Sequence, residues 1–196
     1  TTGAIQNALN AGANLILQSN NDIVLDFGAT LTAKGGSLTL QAGRSVVIKG
    51  LLYLPESDIT IIAGENQAGI DVQNRSSGGS EFLMFDPQLI GRKVDISADL
   101  VSLTGGEAPI DGSTPLAWEP ISSNDFFENV LREGTGYPAT FILGMQSLNV
   151  EADTINLNGG TAPGAFAALV SLGEFSVTAR EINLTPGTEP GAHRPA

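Results

Sequence analysis

Apolar and polar residues alternate along this chain in short bursts, and the bursts recur in a fixed order. SLTLQAGRSVVIKG, from Ser37, contains the whole unit: Leu38 and Leu40, a polar corner with Ala and Gly, then Val46 and Ile48. The unit returns as DITIIAGENQAGIDV from Asp58, KVDISADLVSLTGG from Lys93, SLNVEADTINLNGG from Ser147 and EFSVTAREINLTPG from Glu174. A looser copy, NLILQSNNDIVLDFG, begins at Asn14. Successive side chains of a strand point to opposite faces, so each pair predicts a short strand with one apolar face. Thr39, Val47, Asn149 and Asn156 then fall on the other face. A third apolar piece precedes each next copy: ATLTA at 29–33, LLYL at 51–54, FLMF at 82–85, ATFIL at 139–143 and FAALV at 166–170.

Leu15, Leu38, Ile59, Val94, Leu148 and Phe175 open the six copies, at separations of 23, 21, 35, 54 and 27 residues. The shortest spacing is the basic period and the excess is insertion. Strand-length pieces repeating at such a period predict a solenoid. Three short strands per turn with Gly or Asn corners are what one coil of a parallel β-helix needs. One coil cannot bury its apolar face, whereas stacked coils place Leu38 over Leu15 and Ile59 over Leu38. At about 4.8 Å per strand, six coils make a rod roughly 29 Å long. An antiparallel sandwich is the competing architecture, since its strands are also short and evenly spaced. The unchanging order of the pieces favours translation along an axis, and hence the solenoid.

Ile5, Ala8 and Leu9 fall on one helical face, and Gly12 is a natural stop. They predict a short helix over 4–12 that caps the open end of the stack. Three excursions interrupt the period. The first, 65–92, is rich in Gly, Ser and Asn, with FLMF as its strand. The second, 105–136, is the largest. Within it, SSNDFFENVLR predicts a short helix capped by Ser123, with Asp125 and Glu128 suiting its N-terminal dipole. The third, GGTAPGA at 159–165, widens a loop. The chain reads as one domain over 1–196, cut from something longer. It opens on Thr1-Thr2 without Met, and its tail, PGTEPGAHRPA, offers no capping helix. The expectation is that further coils or a neighbouring subunit cover that end.

Composition fits an all-β chain: 41% apolar residues exclude disorder, and 24 Gly with 10 Pro supply corners rather than helices. Acids outnumber bases 21 to 9, for a net charge of −12. The bases are scattered, so nucleic acid and anionic membranes would meet net repulsion, and neither is expected as a partner. No apolar run approaches the ~20 residues of a membrane span. The absence of cysteine removes thiol chemistry, disulfides and thiolate metal sites. Asn74-Arg75-Ser76 and Asn183-Leu184-Thr185 match the glycosylation acceptor pattern.

Candidate chemistry is sparse. β-Helical carbohydrate enzymes need paired acids, or a base, clustered on one outward sheet. Here the outward positions beside the second pairs are Ser102, Asn156 and Asn183, while Asp95 and Asn149 stack on the first sheet. Asp111, Glu119, Asp125 and Glu128 lie in one excursion and could assemble a carboxylate pair or a calcium site. A solvated loop and an acid-rich first turn are the simpler and favoured reading, and no calcium-loop motif is present. His193, the sole histidine, has no partners for a zinc site or a triad. Trp118, between Pro115 and Pro120, can stack on a sugar ring or partner surface, or pin the excursion to the rod. Phe126 and Phe127 join it as candidate contacts, or pack inward. Gly78-Gly79, Gly105-Gly106 and Gly159-Gly160 read as corners needing positive φ rather than phosphate cradles. No catalytic residue, metal site or cofactor is expected, and the chain does not read as an enzyme.

SLTLQAGRSVVIKG and ALNAGANLILQSNNDIVL resemble the repeats of filamentous-haemagglutinin-like exoproteins of the two-partner secretion pathway. The resemblance covers residues 4–71 and the three later copies. It lacks the NPN-type motifs of that family's secretion domain, which would place this segment in the rod or an effector region. The resemblance implies a right-handed parallel β-helix that is secreted or displayed on a bacterial surface. It implies an adhesin or binding scaffold whose projecting loops recognise a protein or glycan surface ligand. The best such loop is 107–132, carrying Asp111, Trp118, Glu119, Phe126 and Phe127. Two other roles compete: a subunit stacking on copies of itself into an extracellular filament, and a polysaccharide-active enzyme.

Overall fold

The computed structural model describes residues 1–26, 29–64, 70–73, 88–106, 139–161 and 165–187. The fold is all-β and largely parallel, with one short helix among the described residues. Every strand pair among them is parallel. The hairpins of an antiparallel sandwich are therefore absent from these residues.

Strand pairing forms three ladders. The first joins β1 (Asn14–Ser19), β4 (Ser37–Ala42), β7 (Asp58–Ala63) and the middle of β9 (Gln88–Thr104). It continues through β10 (Ala139–Asn158) to β12 (Glu174–Thr185). Its register runs Leu15, Leu38, Ile59, Val94, Leu148, Phe175, the same alignment the repeats predict. The second joins β2 (Ile23–Leu25), β5 (Val46–Ile48), β8 (Ile70–Gln73) and the C-terminal parts of β9, β10 and β12. The third joins β3 (Thr30–Thr32), β6 (Leu51–Leu54), the starts of β9 and β10, and β11 (Phe166–Ser171).

One third-ladder strand differs from expectation. The rung opposite Leu52 is Leu89, in QLIG, and not a residue of FLMF, which lies outside the described residues. Geometry explains the choice. Leu31 and Leu52 precede their next first-ladder residues, Leu38 and Ile59, by seven positions, and Leu89 precedes Val94 by five. Leu83, the matching residue of FLMF, would stand eleven away, too much chain for a tight corner.

Alternation decides what is buried. Leu38, Leu40, Ile59, Ile61, Val94, Leu148 and Val150 point inward and are at most 5% exposed. Val46, Ile48, Val101 and Ile155 of the second ladder and Leu52, Leu89 and Ile142 of the third share one core with them. The third ladder is buried on its other face too, where Ile90, Phe141, Leu143 and Ala168 form a second cluster. Its continuous apolar runs, rather than alternating ones, are the sequence mark of a strand covered on both sides.

The helix, α1 (Thr2–Asn10), starts and ends two residues before the expected bounds. Gly12, at φ 83°, and the bonds from Gly12 N–H to the Leu9 carbonyl (2.8 Å) and Ala13 N–H to the Ala8 carbonyl (3.0 Å) close it with a Schellman motif. Leu9 is fully buried in the common core, and Gln6 donates to Thr32 of β3 (3.2 Å). The glycine corners need correction. Gly160 has φ 75°, but Gly105 has no positive φ. A Cβ on Gly105 would stand 2.7 Å from the Gly159 carbonyl oxygen, so close stacking of turns, not backbone handedness, demands the glycine. Gly78-Gly79 lies outside the described residues.

Adjacent residues of β7 test the alternation. Ile61 is fully buried and Ile62 is 36% exposed. Ile61→Ala is expected to cost about 2–5 kcal/mol in denaturant unfolding, and Ile62→Ala about 0.5 kcal/mol or less. Equal costs would contradict the assigned faces.

Candidate functional site

Because inward positions of the first ladder are apolar, its outward positions collect the polar residues in two parallel rows. One row runs Ile16, Thr39, Thr60, Asp95, Asn149, Ser176, and the other Gln18, Gln41, Ile62, Ser97, Glu151, Thr178. Neighbours within a row sit about 4.8 Å apart, and the rows about 6.6 Å apart. Two shallow depressions lie on this face. One, of about 450 Å³, is lined by Gln18, Asn20, Gln41 and Ile62 among others. The second, of about 340 Å³, is lined by Thr60, Asp95, Ser97, Asn149, Glu151 and Ser176 among others.

In-register polar side chains bond to each other along the stack. Gln18 donates to Gln41 (2.8 Å), Asn149 to Asp95 (2.7 Å) and, beside the second ladder, Asn183 to Asn156 (3.0 Å). The stacking of Asp95 with Asn149 follows directly from the repeat alignment. Glu151 and Ser97 were legible by the same alignment, read on outward positions instead of inward ones. Asp95 and Glu151 are diagonal neighbours, about 8 Å apart from strand spacing and rise. Both are exposed on an open sheet face. The face presents hydroxyls, amides and carboxylates to solvent, an arrangement suited to hydrogen bonding.

Among the described residues, ion pairs clip neighbouring repeats together near the strand ends. Arg44 makes a two-pronged contact with Asp22, whose Oδ1 also accepts from the Ser45 N–H (3.1 Å). Arg92 grips both carboxylate oxygens of Asp58 (2.8 Å each), and Arg180 reaches Asp153 (3.1 Å). Each pair spans about one repeat, at 22, 34 and 27 residues, and that spacing was the available sequence signal. The Arg44 guanidinium holds the Asp22 carboxyl below its usual value, and Arg92 does the same for Asp58.

Asp111, Trp118, Glu119, Phe126 and Phe127, the helix expected over 123–132, and His193 lie outside the described residues. Among the described residues, no group of three or more His, Cys, Asp or Glu is placed to hold a metal ion, and no helix is long and apolar enough to cross a membrane. Compared with known proteins, the chain matches no protein-family model, no curated protein and no solved structure.

The clips give stability a pH dependence of definite sign. A carboxyl with a lowered folded pKa stabilises the fold above its unfolded value of about 4, and that stability is lost as pH falls through the folded value. The thermal midpoint should therefore fall less steeply between about pH 5 and pH 2 in a D22N/D58N variant than in the native chain. Identical slopes would mean that neither clip holds in solution.

Proposed function

We propose that the chain is a binding scaffold of adhesin type, secreted or displayed on a bacterial surface, and built as a right-handed parallel β-helix of about six coils. The observation that carries this reading is the register. Three parallel ladders recur in one order along the chain, and their inward side chains meet in a single core. Three strand directions around one core are what a coil requires, and right-handed crossovers are the rule for parallel strands. The family resemblance of the repeats supports the same handedness and the extracellular role.

Recognition falls to two surfaces. The first is the excursion 107–132, with Asp111, Trp118, Glu119, Phe126 and Phe127. The second is the first-ladder face, where Thr60, Asp95, Ser97, Asn149, Glu151 and Ser176 form a grid of donors and acceptors. Its spacing suits a hydroxyl-rich glycan or the polar surface of a protein ligand. An enzymatic reading fits this face less well, since both of its carboxylates are bathed in solvent.

Binding to a panel of neutral and acidic glycans and immobilised cell-surface proteins, with product analysis in parallel, tests the proposal. Ligand capture without cleavage is expected. Ser97→Arg with Asn149→Arg on the face, or Trp118→Ala on the excursion, should weaken it by about tenfold or more. Release of shortened glycan would replace the scaffold reading with an enzymatic one.

A further inference from the structure

We infer that the C-terminal strand β12 is a homodimerisation edge, on which a second copy of the chain docks antiparallel about a two-fold axis. This inference rests on the strand and not on the ligand-binding role. The two ends of the apolar column differ. At the N-terminal end α1 buries Leu9, and Leu15, Leu17, Ile23 and Leu25 are partly buried against the core. At the other end β12 pairs only with β10 among the described residues. There Phe175, Ile182 and Leu184, on the core-facing register positions, are 55%, 53% and 57% exposed. Together they make an apolar patch on the order of a few hundred Å² beside a strand edge that no other described strand covers.

What fits this edge follows from its own sequence. A two-fold contact requires a self-complementary surface. β12 has two arms of six residues, Glu174–Ala179 and Arg180–Thr185, that follow the two arms of β10 in register. β10 turns between Ala152 and Ile155, which both face the core although three residues apart. An axis through the matching corner, Ala179–Arg180, exchanges the arms of two copies and keeps core-facing residues inward. Phe175 of one copy then meets Leu184 of its partner, and Val177 meets Ile182, while Ser176 faces Asn183. Charge agrees with this pairing. Glu174 falls opposite Thr185 and Glu181 opposite Thr178, so no acid faces an acid, and Arg180 is matched by Asp153 of its own copy. Head-to-tail stacking would instead set β12 against the end that α1 occupies.

Absence of cysteine makes the register directly testable in this chain. Paired strand positions lie within disulfide reach. Mixing Ser176→Cys chains with Asn183→Cys chains under mild oxidation should give a cross-linked dimer, while neither variant alone should cross-link. In sedimentation, the native chain should be a dimer and Ile182→Lys a monomer with unchanged circular dichroism. A native monomer across the micromolar range would overturn the inference. So would cross-linking of Asn183→Cys with Val24→Cys, which join if β12 of one copy continues onto β1 and β2 of the next.

Discussion

Everything in this fold depends on keeping the same residues inward, strand after strand. A strand has period two, so a one-residue slip sends its entire apolar set to the solvent face. Leu38, Ile59, Val94 and Leu148 stack without a break, and so do Leu40, Ile61, Ile96 and Val150. Each strand is therefore held by its neighbours in both register and face. The corners reinforce this: alternation breaks between Ala152 and Ile155 so that both face the core, and β12 repeats that break in register with β10. Inserted chain is tolerated because it enters between strands and leaves their spacing alone. Where slack exists within a strand it appears as the irregularity between Gly144 and Ser147 in β10.

Polar chemistry is a by-product of the same parity. Once inward positions are apolar, outward residues of successive turns stack in columns, and an amide placed over an amide can bond to it. The Gln18–Gln41 and Asn156–Asn183 bonds arise in this way. Ser57 and Thr140 are the fully buried polar side chains among the described residues, and their hydroxyls donate to the Gly35 and Thr104 carbonyls at 2.6 Å. No buried polar side chain there lacks a partner. The groove on the first-ladder face is thus built on rigid strands, with its donors and acceptors placed by the core behind them.

Much of the fold was readable because apolar periodicity is both its cause and its signature. The repeat alignment of Leu15, Leu38, Ile59, Val94, Leu148 and Phe175 matches the observed register residue for residue. Reading failed where pattern and geometry diverge. FLMF is the more apolar string, but QLIG has the right distance to the next strand. Gly105 resembles a turn residue, yet its need is steric, set by a carbonyl 54 residues away in sequence. The corner ion pairs were missed because the bases were read as scattered along the sequence, whereas strand stacking sets Arg44 beside Asp22 and Arg92 beside Asp58. For the candidate site, composition drew attention to Trp118 and its neighbours, whereas the described polar face is built from ordinary Thr, Ser, Asn and Gln. Only their register makes those residues a surface.

The unequal spacing of the strands also bears on the order in which the chain can fold. β1, β4 and β7 come into register by closing loops of 21–23 residues, whereas joining β9 to β10 closes one of 54. By loop entropy alone the longer closure costs about 0.8 kcal/mol more, and it also searches more slowly. On that ground the N-terminal strands, on which α1 sits, are expected to pair first and to template the later ones. A chain emerging N-terminus first meets its own scaffold as it appears.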